Sequence, residues 1–463
     1  MSFSRRQFNF AALTTLAFAG LSRQAGGAVT YQSEVPGYGP LRPDPAGLLD
    51  LPQGFTYQVV SHAGEIMDDG FHVPGSFDGM GCFAAGVGKV ALVRNHELGL
   101  SSWSRSAAMD VAALQSRLAT LPHFGRAPDG RVLPGGTTTL IVDLATGRRE
   151  SQFLSLTGTS TNCAGGVTPW GSWLTCEETV AGAPDSTQSH GWVFEVPAAH
   201  RGLVAPEPLT AMGRFQHEAA AVDPYTGIVY LTEDRADSLF YRFLPVRPGH
   251  LARGGQLQAL AFADSSLPAD SRNWSGEVFV PRSIRPVRWI DLDEVLSPLD
   301  DLRQRGHAKG AVRFARGEGI HIAADSKGLR EVYFTCTAGG TAKLGQIMRY
   351  ALSEHEGATD EKKSPGRLEL FVESRDSRVF EYGDNLTVSP QGHLVVCEDR
   401  AGNKINHLRG ITPSGRIYTL AQLNAGTELA GACFSPDGRV LFVNAQAPGM
   451  TLAIRGRWDQ FRL

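Results

Sequence analysis

One two-strand pattern recurs six times along the chain. A polar or small residue opens a short apolar run, a turn follows, and a second β-rich run closes on a polar or acidic residue. The copies are Asp78 to Glu97, Asn162 to Glu178, His217 to Asp234, Glu318 to Ala338, Asp384 to Asp399 and Ala430 to Asn444. Val167-Thr168-Pro169, Val222-Asp223-Pro224, Val388-Ser389-Pro390 and Phe434-Ser435-Pro436 align where first strands enter their turns. Six similar hairpins with longer connections predict an all-β chain closed radially, a six-bladed β-propeller, in preference to an array of two-sheet sandwiches. With 53 Gly, 26 Pro and 20% charged residues, the chain is rich in turns and poor in long exposed helices, as that fold requires. Ser102 to Leu121 reads as a short amphipathic helical insertion over one face, Asp291 to Arg305 as a second short helix, and Ser353 to Pro365 as an exposed charged loop.

A hairpin starts and ends at the same edge of its sheet, so opening and closing residues are neighbours. In a propeller these ends converge from all blades on one mouth. Cys163, Glu218 and Asp384 share the opening slot with Ala430, and Asp78 and Glu318 open the other copies with a small offset in register. Asn95, Glu177, Glu233 and Glu398 share the closing slot, with Thr337 in the fourth copy. Glu97, Glu178, Asp234 and Asp399 follow one or two residues later, where strand alternation leaves an outward, solvated reading open. A single Glu at a strand end is ordinarily solvated; recurrence in equivalent slots is what points to chemistry. Carboxylates crowded at one mouth repel one another, and multivalent cations relieve the conflict. Oxygen ligands suit Ca2+, and a thiolate among them adds a transition metal. Cys82, Cys176, Cys336, Cys397 and Cys433 read as buried packing.

Residues 1–28 read as a removable export signal. Ser4-Arg5-Arg6-Gln7-Phe8 precedes an apolar stretch too short to span a bilayer, with small residues at Ala25 to Ala28. The expectation is passage through the twin-arginine export machinery to the periplasm or exterior, with residues 29–463 as a single propeller domain. No later segment reads as a membrane span. Lys plus Arg number 44 against 47 Asp plus Glu, a balance that excludes a basic, nucleic-acid-coating surface.

Arg316 stands two residues before Glu318, inside Phe314-Ala315-Arg316-Gly317-Glu318-Gly319. A planar guanidinium there can grip a phosphoryl group through two donors, or it can simply pair with a carboxylate. At these motifs the sequence resembles the PhoX family of exported alkaline phosphatases. The segments that carry the resemblance are Arg94-Asn95-His96-Glu97, Asn162-Cys163-Ala164-Gly165-Gly166, Cys176-Glu177-Glu178 and His217-Glu218. Glu233-Asp234, Arg316-Gly317-Glu318-Gly319, Gly383-Asp384-Asn385 and Cys397-Glu398-Asp399 continue it, so that the likeness runs from about Leu51 to Asn444. The resemblance implies a propeller carrying an iron pair (Fe3+) and Ca2+, acting on phosphomonoesters. It further implies Cys163 as an iron ligand, Glu318 as a metal bridge and Arg316 as a phosphate clamp. Asn95, Glu97, Cys163, Glu177, Glu218, Glu233, Glu318, Asp384 and Glu398 form the expected metal set, and Arg316 and Glu318 the expected catalytic pair. Two other readings of such a mouth are a calcium-dependent propeller hydrolase such as a lactonase, and a non-enzymatic propeller that binds a partner and uses calcium for stability.

Overall fold

The structure is a computed structural model, and it describes residues 31–325, 328, 330–400 and 405–463. The expected twin-arginine signal lies outside the described residues. The six hairpins expected from the repeat are the inner pairs of six antiparallel blades. Their innermost strands are Phe77–Ala84, Asn162–Val167, His217–Val222, Gly317–Ala324, Gly383–Val388 and Leu429–Phe434. Each packs against the next, and the sixth packs against the first, so the strands form a closed ring around a central axis. Adjacent sheets bury their faces against one another, which accounts for apolar clusters such as the one built from Tyr230, Phe240, Phe314 and Phe334 between the third and fourth blades.

The blades differ at their outer edges. The second has three strands, ending at Val193–Pro197. The third and fourth join into one nine-stranded sheet through strand Ile284–Asp291, which pairs with Gly255–Phe262 on one side and Arg367–Glu373 on the other. The sixth takes its outer strand from the other end of the chain: Thr56–His62 pairs with Met450–Arg455. A polypeptide ring closed this way has no exposed inner edge.

Two expected elements are shorter or displaced. The insertion is a 3-10 turn at Trp103–Arg105 and a seven-residue helix at Ala112–Leu118. The expected helix near residues 291–305 begins only at Leu302 and runs to Ala308, because residues 284–291 are taken by the joining strand. The charged segment 353–365 is not wholly exposed. Glu356 is buried and bonded to Arg242, Tyr230 and Tyr350, a network that satisfies a carboxylate in the core. Among the described residues no helix is long and apolar enough to cross a membrane.

Candidate metal centre

All six inner pairs carry a β-bulge at the same place. Phe77 pairs with His96 and Met80 with Arg94, so Asp78 and Gly79 together face one residue. The same break falls between Asn162 and Gly165, His217 and Ala220, Gly317 and Ile320, Gly383 and Leu386, and Ala430 and Cys433. A bulge bends its strand and re-aims a side chain. The first bulged residue of each blade is therefore Asp78, Cys163, Glu218, Glu318, Asp384 and Gly431. Five of the six bear a metal-ligating atom, and the offset read for Asp78 and Glu318 disappears once the bulge is counted. In the sixth blade the equivalent position is Gly431 and not Ala430. A Cβ at Gly431, where φ is +62°, would stand 2.4 Å from the Asp78 carbonyl oxygen, so no ligand side chain fits there. Glu428, just before that strand, fills the gap. The second bulged position is held by Gly or Ala in every blade but the fifth, which has Asn385, for a related reason: a Cβ on Gly79 would stand 2.5 Å from the Ala164 Cα, and one on Gly319 2.5 Å from the Asn385 Cα.

Ligating atoms meet in three groups, each with all atoms within 4.8 Å of one another. These are Cys163 with Glu178 and Glu218, Glu218 with Glu318 and Asp384, and Asp78 with Glu97 and Glu428. Glu218 belongs to two of them, so in this geometry the shared carboxylate is Glu218 where the family likeness had suggested Glu318. Both Glu218 carboxylate oxygens are buried and have no hydrogen-bond partner among the described residues. An orphaned buried carboxylate is costly, and a cation supplies what the protein does not. The electrostatics point the same way. Burial, reinforced by the charges of Glu318 and Asp384, pushes the Glu218 carboxyl far above the usual range. Burial with neighbouring carboxylates does the same to Asp78, Glu178, Glu318 and Glu428. Glu97 and Asp384 are each raised to about 7, again by burial first and the Asp399 charge next. Burial and the surrounding carboxylates also raise the Cys163 thiol. The donor set of hard oxygens plus one sulfur therefore fits several multivalent cations.

The closing-slot expectation needs correcting. Asn95, Glu177, Glu233 and Glu398 are turned away from the mouth and engaged with protein donors. Asn95 Nδ2 donates to the Cys163 and Ala164 carbonyls at 3.0 and 2.7 Å, and its Oδ1 accepts from Trp173 Nε1. Glu177 accepts from the backbone N–H groups of Ser160 and Gly191 and pairs with His190 at 2.6 Å. Glu233 Oε2 accepts from the Tyr241 hydroxyl at 2.7 Å and from Leu239 N–H, while its buried Oε1 has no hydrogen bond among the described residues and faces the Arg303 guanidinium at 3.8 Å. Glu398 binds Arg409 and His407, each at 2.7 Å, and Arg409 with His407 holds it below the usual range despite burial. These four are completely buried braces behind the ring. The residues just after them reach the mouth: Glu97, Glu178 and Asp234, with Asp399 close enough to raise Glu97. In the fourth blade Thr337 takes that place and donates to the Gly383 carbonyl, linking two blades where others carry an acid.

Arg316 lies at the ring with φ of +57°, half-exposed. Its Nε and Nη2 fork onto Asp234 at 2.7 and 2.8 Å, and Nη2 also reaches Glu318 at 3.0 Å. That pairing holds Asp234 below the usual range against the effect of burial. The fork is thus spent on Asp234, and Nη1 is the nitrogen without a protein partner among the described residues.

Residues 36–449 match the sequence model of a family described as alkaline phosphatase PhoX. No curated protein matches the sequence. Among solved structures the chain is similar to Pseudomonas fluorescens PhoX in complex with vanadate, a transition state analogue, at a TM-score of 0.66 and 18% identity, covering 93% of this chain and 98% of that one. A gluconolactonase from Xanthomonas campestris aligns at a TM-score of 0.42 and 14% identity, covering 92% and 99%. A Dyadobacter fermentans protein of unknown function aligns at 0.45 and 8%, covering 88% and 100%. The first of these likenesses shows a shared propeller fold.

Proposed function

The chain belongs to the PhoX family of alkaline phosphatases, and from that premise we propose that it hydrolyses phosphomonoesters at the acidic mouth of the propeller, with Fe3+ and Ca2+ held there. The observation that carries the metal reading is Glu218, a fully buried carboxylate with no hydrogen-bond partner on either oxygen among the described residues, shared between two ligand groups. Cys163, Glu178 and Glu218 would hold the ion that takes a thiolate; Glu218, Glu318 and Asp384 would hold a second; Asp78, Glu97 and Glu428 suit calcium. The bound cations would supply Lewis acidity, neutralising the phosphoryl oxygens and the developing charge of the displacement.

The chain's own residues do the rest. The bulges fix the carboxylates on strand backbone, so the site is assembled before substrate arrives. The four braces keep it rigid: Asn95 pins the carbonyls of the Cys163 bulge, and Glu177, Glu233 and Glu398 tie each second strand to its neighbour. Arg316 is oriented by Asp234 and offers Nη1 to an equatorial phosphoryl oxygen, where negative charge is redistributed in the transition state. The twin-arginine pattern at Arg5-Arg6 supports export of a folded, metal-loaded protein to the periplasm or beyond.

The deciding experiment purifies the exported protein, measures its iron and calcium, and assays p-nitrophenyl phosphate. Iron with calcium and hydrolysis is the expected result. Calcium alone with activity would remove iron, and hydrolysis by verified metal-free protein would remove the metal centre.

A further inference from the structure

Beside the acidic ring, between the first and sixth blades, lies a cavity of about 240 Å³ lined by Ser76, Ser104, Arg105, Ser106, Gln446 and Pro448, among others. It adjoins the centre at one ring member. Gln446 Nε2 donates to Glu97 Oε2 at 2.8 Å, and the Glu97 N–H donates to the Ser76 carbonyl at 2.9 Å. One wall is the 3-10 turn of the insertion, docked by a bond from Gly75 N–H to the Arg105 carbonyl.

Two features of this wall are unexplained by folding. Arg105 is exposed and has no ion-pair partner among the described residues, although Asp78, Glu97 and Glu428 are gathered nearby. Its Nη1 and Nη2 donate only to the neutral hydroxyls of Ser76 and Ser102, at 3.0 and 3.4 Å. That contrasts with Arg316, whose fork is occupied by Asp234. Second, Ser106 belongs to the cavity lining, and its hydroxyl, buried just behind that surface, has no hydrogen-bond partner among the described residues. A buried orphan hydroxyl and a guanidinium bonded only to hydroxyls, its charge felt by Glu97 at longer range, on one cavity wall are what a site for a polar anionic ligand looks like.

Building on the phosphatase reading, we propose that this cavity receives the alcohol portion of the phosphomonoester, and that Arg105 favours alcohols bearing a second anionic group, a carboxylate or another phosphate. The phosphoryl group sits at the ring; the alcohol extends past Glu97 towards Gln446; Arg105 grips the second anion and Ser106 hydrogen-bonds to the same portion.

The test compares 3-phosphoglycerate with glycerol 1-phosphate, a primary ester of the same carbon skeleton that has a hydroxymethyl group in place of the carboxylate, on the metal-loaded enzyme and on Arg105→Gln. The wild type is expected to prefer 3-phosphoglycerate. Arg105→Gln should lower kcat/KM for 3-phosphoglycerate by at least about tenfold, mainly through KM, with a loss on glycerol 1-phosphate at least about fivefold smaller. Arg105→Lys should recover part of the preference. Inorganic phosphate inhibition reports on the ring itself. If it weakens in Arg105→Gln by the same factor as both substrates, Arg105 holds the phosphoryl group and the subsite is wrong. Loss of melting temperature with an unchanged substrate ratio would make Arg105 a packing residue and would equally overturn the proposal, as would a wild type that prefers glycerol 1-phosphate. A wild type that hydrolyses neither compound while retaining its metals would instead bring down the phosphatase reading on which the subsite stands.

Discussion

Cys163 and Arg316 are where the metal and phosphate readings can be separated residue by residue. A thiolate on ferric iron gives a visible charge-transfer colour. Cys163→Ser should bleach it and lower activity, while Cys433→Ser, in the sixth inner strand but outside the ligand groups, should do neither. A Cys163→Ser protein that kept colour and turnover would refute the ligand role. Arg316→Lys keeps the charge but cannot fork onto Asp234, so the remaining donor is no longer held in place. The variant should lower kcat/KM for p-nitrophenyl phosphate by roughly ten- to a thousand-fold, about 1.4–4 kcal/mol, and weaken inorganic phosphate inhibition in parallel. A change in melting temperature alone would reduce Arg316 to a structural ion pair.

The inner hairpin with its bulge is the unit from which the centre is built. Gly319→Ala would drive a Cβ to 2.5 Å from the Asn385 Cα, main chain of the next blade that cannot rotate aside. It should lower the melting temperature by more than about 5 °C and reduce metal content, and Gly79→Ala should do the same at Ala164. A neutral outcome in both would mean that the blades are not in close contact at the bulge. The hairpin also marks how far sequence alone could reach. Turn residues and alternation locate all six units, because they are local properties of one strand pair. Cys163, Glu218 and Asp384 are recognisable as one set for the same reason. The bulge is not: it arises from two strands paired with unequal counts, and the partners that engage the closing residues come from elements further along the chain. Glu177 and Glu398 therefore look like ligands in the sequence, yet serve as braces to His190 and Arg409. Glu428 lies outside any repeat slot, and only the glycine at 431 hints that its blade must supply a ligand from elsewhere.

At the scale of the whole ring, the carboxylates are held together only at a cost when cations are absent. Glu97 and Asp384, raised to about 7 in the folded protein, titrate at ordinary carboxylate values once unfolded. The folded metal-free protein therefore binds more protons than the unfolded chain across that interval. Its stability is fully present below about pH 4 and is lost as pH rises through about 7. Thermal unfolding after chelation should show a melting temperature that falls by several degrees from about pH 5 to pH 8, and restored calcium should flatten the profile and return activity. A metal-free protein that becomes more stable over that range would contradict the repulsion on which the cation sites are argued.

Pairing of Thr56–His62 with Met450–Arg455 has a consequence for the order of events during synthesis. The strands that complete the sixth blade lie before the first inner strand and after the sixth, so a ribosome-bound polypeptide cannot close the circle until residues 450–455 have been made. Asp78 and Glu97 come from the first blade and Glu428 from the last, so this one group straddles the seam. An ion bound there would act as a clasp between the oldest and newest parts of the polypeptide, capturable only by a finished protein. Loading of this position then becomes a checkpoint for completion: a chain truncated before residue 428 could still fold several blades, but it would lack the carboxylate that fastens them into a circle.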